Sequence, residues 1–234
     1  MKVDLIVPGA ILLTAETDHE NTYSFMRLQE FYENEDRSRQ GKYFSLDEVI
    51  DHYGDKRGIF SYPQDWAGFN IPGHIVDKFI KLHKHDFTEK EKSMFELVKK
   101  VIDQYDHAKV DGKYYLIGVK SELYIDHELC HAMWYLYPKF RKEAKKLLKK
   151  LPKKQKKAIK RWLKDSGYAD NVLDDEINAY LATSDMYMIR QSILASLSQK
   201  QKQSIDWTLV YAIVANYWKF KHKLSFQETE IKVA

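Results

Sequence analysis

The sequence predicts an α+β protein, with a small mixed region at the N-terminal end followed by a mostly helical C-terminal half. Over residues 1–80, short apolar runs are broken by Pro8-Gly9, Gly41, Gly54, Gly58, Pro63, Gly68 and Pro72-Gly73, which reads as irregular α+β structure. Beyond Thr88 the apolar residues recur mostly at helical spacing. Between these regimes Tyr114 to Val119 is a short aromatic and aliphatic run that reads as a buried strand. No internal repeat or linker separates the parts. Residues 1–234 are therefore read as one composite domain, 1–85 irregular α+β and 86–234 mostly helical, the latter carrying the candidate site.

In order along the chain, Ser45-Leu46-Asp47-Glu48 is a capping-box pattern that opens a short helix through Val49, Ile50 and Tyr53. The stretch from Tyr62 to Pro72 reads as an ordered loop, with Trp66-Ala67-Gly68-Phe69-Asn70 as a core plug. Thr88 and Glu91 cap a helix whose buried face is Met94, Phe95, Val98, Val101, Ile102 and Tyr105, ending near His107. Asp111-Gly112 is a turn signal ahead of the strand. Ser121 then caps a helix to about Tyr137 that buries Ile125, Leu129, Ala132, Met133 and Leu136 and stops at Pro138. Two basic helices follow, the first burying Phe140, Ala144, Leu147, Leu148 and Leu151. The second starts at Pro152 and buries Ala158, Ile159, Trp162 and Leu163. Helical spacing returns over Asp174 to Thr183, Tyr187 to Leu197 and Asp206 to Lys221.

Composition narrows the classes. A hydrophobic fraction of 44% beside 31% charged residues is ordinary for a folded chain with a substantial core, and argues against disorder. The net charge of +4 is too small for a protein that coats nucleic acid over its whole surface. From Lys139 to Lys164, however, Glu143 is the only acid among many lysines, so the local field is strongly positive. Cys130 is the single cysteine, which excludes an internal disulfide and fits a reducing compartment. Leu5 to Leu13 imitates a signal core, but Asp4 and Pro8-Gly9 interrupt it, and a cytoplasmic location is expected.

The residues that carry chemistry are His127-Glu128-Leu129-Cys130-His131. At about 3.6 residues per turn the two histidines lie one turn apart on one helix face, so both imidazoles reach one metal ion without backbone movement. Glu128 stands beside them, placed to accept a proton from an attacking water rather than to coordinate. With 9 histidines in 234 residues, this pattern arises by chance in roughly one such chain in fifty. Its position inside an amphipathic helix behind a strand makes chance a weaker explanation. Cys130 reads as a small buried thiol.

A catalytic zinc takes three protein ligands and keeps a fourth position open. Glu176, in Asp174-Asp175-Glu176 at the start of a later helix, is the expected third ligand, with Asp175 as a substitute. The same acids also favour a helix N-terminus through the macrodipole.

His127-Glu128-Leu129-Cys130-His131 followed by Asp175-Glu176 and Ala179-Tyr180 resembles the gluzincin metallopeptidases over residues 114–183. The resemblance implies a zincin-like fold, a small mixed N-terminal region packed on a helical half. It further implies Zn2+ held by His127, His131 and Glu176, Glu128 as general base, and hydrolysis of a peptide or related amide. Two rival readings use the same sequence. Two histidines and a carboxylate also describe a non-haem iron oxygenase site. A non-enzymatic module could use the lysine-rich helices of 139–164 to bind an acidic partner, or less favourably nucleic acid.

Overall fold

The computed structural model describes residues 1–34, 36–66, 68–166, 168–183 and 206–225. It is an α+β protein with more helix than strand. The expected helix from Tyr187 to Leu197 lies outside the described residues. The chain divides into two compact units, one holding Met1–Glu128 and the other Leu129–Leu224. The division falls inside the motif helix.

The first unit is built on a four-stranded sheet with spatial order β1-β2-β4-β3. Strands β1 (Lys2–Val7) and β2 (Ala10–Thr14) form an antiparallel hairpin. It turns at Pro8-Gly9, where Gly9 takes the positive φ of 80° that suits glycine. β2 runs parallel to β4 (Tyr115–Val119), and β3 (Gly68–Pro72) pairs antiparallel with the other side of β4, so that β3 stands at an edge among the described residues. β4 is buried at every position, as a central strand covered on both faces must be.

Helices fill the intervals. α1 (Asp18–Glu33) was not expected from the sequence, although Thr17 and Glu20 carry a cap signature and the Thr17 side chain does accept from the Glu20 N–H. Its burial explains the omission, because Asn21, Thr22, Ser24, Arg27 and Gln29 are buried along with Phe25, Met26, Leu28 and Phe31. A helix enclosed on most sides shows no apolar stripe. α2 (Leu46–Arg57) has the expected capping box from Ser45 and Glu48. Tyr62 to Pro72 is not a loop: it folds as a short helix, α3 (Tyr62–Asp65), and then β3. Pro72-Gly73, read as a break, starts α4 (Gly73–His83), because proline is tolerated at a helix N-terminus. α5 (Glu89–Gln104) has the predicted Thr88–Glu91 box, and Asp111-Gly112 makes the turn into β4 with both residues at positive φ.

The core of this unit joins the β1, β2, β3 and β4 residues Val3, Leu5, Ile11, Leu13, Phe69, Ile71 and Leu116 to Phe25, Leu28, Val76, Phe79, Val98 and Val101 from the helices. Phe25 stacks on Phe69 at 5.2 Å, directly over Gly118, where an added Cβ would fall 2.3 Å from the ring. Charge is buried here too. Arg27, 2% exposed, donates to both carboxylate oxygens of Glu91 at 2.8 and 2.7 Å, to Asp86 Oδ2 at 3.0 Å, and to the Asp86 and Phe44 carbonyls. Every guanidinium nitrogen is therefore engaged.

The motif helix, α6 (Ile125–Leu136), crosses the division. Ser121 caps a 3₁₀ turn, Glu122–Tyr124, rather than α6 itself; the tighter turn delays the α-helix to Ile125. Leu129, Ala132, Met133 and Leu136 are buried as expected. In the second unit α7 (Pro138–Lys150) and α8 (Lys153–Asp165) bury Phe140, Ala144, Leu148, Ile159 and Leu163 and turn their lysines to solvent. α9 (Leu173–Thr183) and α10 (Trp207–Leu224) are the other described helices of this unit, α10 packing on α7 and α9. Among the described residues no helix is long and apolar enough to cross a membrane.

Candidate metal centre

The helical spacing places His127 and His131 on one face of α6, and the first turn of α9 carries Glu176. Each of the three offers a ligand atom, and these atoms lie within 4.8 Å of one another. His127 is half-buried, while His131 and Glu176 are 4% and 8% exposed. The structure thus brings together the residues that the sequence singled out.

His131 is addressed from both nitrogens. Its Nε2 lies 3.6 Å from Glu176 Oε1, and its Nδ1 lies 3.2 Å from Asp175 Oδ1. The second approach is close enough for a charge pair but lacks formed hydrogen-bond geometry. Asp175, expected as a substitute ligand, instead takes the outer side of the ring. That is where carboxylates orient metal-binding histidines and fix their tautomer. Asp174 points elsewhere again, pairing with Lys160 at 2.9 Å and Lys156 at 3.2 Å on α8. Of the three consecutive acids, one therefore pairs with lysines of α8, and the other two approach opposite nitrogens of His131. Cys130 is buried and accepts from the Asn178 amide of α9 at 3.1 Å, which ties α9 to α6 and agrees with its reading as a core thiol.

The donor set passes a test of fit. Ligand atoms at 2.0–2.2 Å from a tetrahedral zinc stand about 3.3–3.6 Å apart. The His131–Glu176 pair already meets that spacing, and the 4.8 Å limit for the set leaves a rotamer-scale adjustment. Two imidazoles, one carboxylate and an outer carboxylate suit zinc, and the first three suit ferrous iron as well.

Glu128 is 7% exposed and faces the sheet of its own unit. The Asn70 side-chain amide donates to Glu128 Oε2 at 2.7 Å, and the Tyr115 hydroxyl donates to Asn70 Oδ1 at 2.7 Å. A Cβ on Gly68 would lie 2.5 Å from Glu128 Oε1. The core-plug reading of residues 66–70 is thus half right. Phe69 enters the core, whereas Gly68 and Asn70 face the motif glutamate. Sequence reasoning missed both, and Tyr115 with them. The available signal was alternation along Gly68-Phe69-Asn70-Ile71, which puts Gly68 and Asn70 on the face opposite Phe69 and Ile71.

On the second unit, α8 and its surroundings form a concave groove of about 740 Å³ lined by Lys149, Lys153, Lys156, Lys157, Lys160 and Lys164, among others. Comparison of the chain with protein-family models, curated proteins and solved structures finds no match.

Proposed function

We propose that this protein is a zinc-dependent hydrolase, a gluzincin-like metallopeptidase of zincin-like fold that cleaves a peptide or related amide. His127, His131 and Glu176 are the metal ligands and Glu128 is the general base. The observation that carries the proposal is the convergence of these ligand atoms within 4.8 Å from two separate helices. Zinc held there supplies a Lewis acid for the scissile carbonyl and lowers the pKa of a water toward about 7. Glu128 takes the proton of the attacking water and delivers it to the leaving amine. Asp175 orients His131 for its role. An edge position for β3 supports a peptide substrate, because the outer backbone groups of an edge strand pair readily with an extended chain. The lone cysteine agrees with a cytoplasmic setting.

Elemental analysis and zinc titration test the centre. The expected result is about one zinc per chain, nearly lost in His127→Ala and His131→Ala and kept in Glu128→Gln, which no longer hydrolyses a casein-derived peptide mixture. Unchanged zinc content in both histidine variants overturns the site. Iron with oxygen consumption replaces the proposal with the oxygenase reading.

The lysine groove supports a second reading, a non-enzymatic module for an acidic partner. A salt-sensitive affinity for polyglutamate that survives chelation, in a protein without turnover, would favour it over the hydrolase. The same affinity for duplex DNA instead would point to nucleic acid.

A further inference from the structure

We infer that Asn70, itself oriented by Tyr115, positions the Glu128 carboxylate, and that residue 68 is glycine because this carboxylate occupies the space of a side chain. The inference rests on the reading of Glu128 as general base. In it Asn70 and Tyr115 are positioning residues.

Strand register explains how the three groups meet. Asn70 pairs with Ile117 across the β3–β4 ladder and Pro72 with Tyr115, so Tyr115 is the diagonal neighbour of Asn70 on the same face. Diagonal partners on an antiparallel pair are within reach of a long aromatic side chain. The core residues Phe69 and Ile71 take the opposite face, leaving Gly68, Asn70 and Tyr115 together on this one. All of them belong to the same unit as Glu128.

The orientation of the Asn70 amide follows from chemistry. An ionised carboxylate only accepts, so the NH2 group must face Glu128, and Oδ1 is left for a donor. Tyr115 is that donor, at 2.7 Å. If the amide turned over, two oxygens would face each other at the 2.7 Å now spanned by a hydrogen bond, and the tyrosine would lose its acceptor. A hydrogen bond to a charged group is among the stronger kinds, so one fixed amide is enough to select a carboxylate rotamer. The approach is close enough that a side chain at residue 68 would displace the carboxylate, since its Cβ would sit 2.5 Å from Oε1 and 3.0 Å from the carboxyl carbon. A base held in this way keeps one oxygen committed and its plane fixed before substrate arrives.

The test needs no metal. In the full-length protein, the Asn70 side-chain amide is followed by ¹H–¹⁵N NMR and assigned by its loss in Asn70→Ala. Glu128→Ala and Tyr115→Phe should each displace that signal and speed its hydrogen exchange, with the far-ultraviolet spectrum unchanged. An Asn70 signal indifferent to both variants overturns the inference.

A second readout uses the zinc-loaded enzyme on the casein-derived peptides. Asn70→Asp, which keeps the shape and loses the donor, should retain zinc and lower kcat about 10²-fold with little change in KM. Combining it with Glu128→Gln should cost nothing beyond Glu128→Gln alone. An unaltered kcat, or fully additive losses, overturns the positioning role. If the wild-type protein does not turn over, or Glu128→Gln stays active, the hydrolase reading falls, and the NMR result alone decides the cradle.

Discussion

The Arg27 cluster of the first unit and the lysine-rich helices of the second handle charge in opposite ways. In the first, Arg27 is 2% exposed and shares its donors between Glu91, Asp86 and two backbone carbonyls. Glu91 also closes the capping box of α5, so one carboxylate serves a helix terminus and a buried cation together. In the second unit, outside the buried His131 and Glu176, the lysine-rich helices display their charge. Lys160 and Asp174 make their pair with side chains 36% and 39% exposed, among lysines whose helices bury an apolar stripe and, on α8, the neutral Gln155. Buried charge survives only when every donor is matched, and so becomes part of the architecture. Exposed charge is screened and loosely held, and remains available to a partner.

Stability measurements should show the largest gap between the two. Replacing Arg27 by alanine strands two carboxylates, one of them fully buried, and should cost about 3–5 kcal/mol in urea unfolding. Lys160→Ala should cost no more than about 1 kcal/mol, and less in high salt. Equal losses for the two variants would dissolve the contrast.

The acids at the start of α9 give a finer test, because Glu176 and Asp175 approach different nitrogens of His131. Glu176→Ala removes a proposed direct ligand and should reduce zinc affinity by more than about 100-fold. Asp175→Asn removes only the charge behind His131 and should reduce it about 10- to 100-fold. Isothermal titration at fixed pH would separate them, and a larger loss from Asp175→Asn would exchange their roles.

How much of this was legible depended on whether the deciding contacts were local. The capping boxes at Ser45 and Thr88 and the motif helix were readable because their partners lie within one helical turn. The burial of β4 was readable from its unbroken apolar run. α1 was not, since a helix that buries Asn21, Arg27 and Gln29 carries no amphipathic stripe. At the site, His127 and His131 follow from periodicity alone. Glu176 and Asp175 are adjacent in sequence, and only the packing of α9 decides which approaches Nε2 and which Nδ1 of His131. Asn70 and Tyr115 meet through a strand register set by pairing far apart in the chain, which no local pattern encodes.

The smallest expected effect belongs to His83, which lies beside the Arg27 cluster with Phe79 stacked on it at 4.2 Å and Tyr43 at 4.8 Å. The ring is fully buried, and neither nitrogen has a hydrogen-bond partner among the described residues, although Asp86 Oδ1 is 3.4 Å from Nδ1. Burial first, and then the positive charge of Arg27, hold His83 below its ordinary value of 6.5, against the opposing pull of Asp86 and Glu91. The unfolded chain therefore binds a proton at His83 more readily than the folded one, and stability rises with pH wherever that difference exists. Between neutral pH and the ordinary histidine value the contribution is intact; as pH falls below about 6.5 the unfolded state gains protons first and the fold loses stability. His83→Phe keeps the aromatic stack without a titrating group, so its unfolding free energy should be flatter than the wild type's from pH 7 down to pH 5. Lys160→Ala should leave the wild-type slope unchanged over the same range. A slope that persists in His83→Phe would assign the pH dependence to another group and remove His83 from the buried-charge account of the first unit.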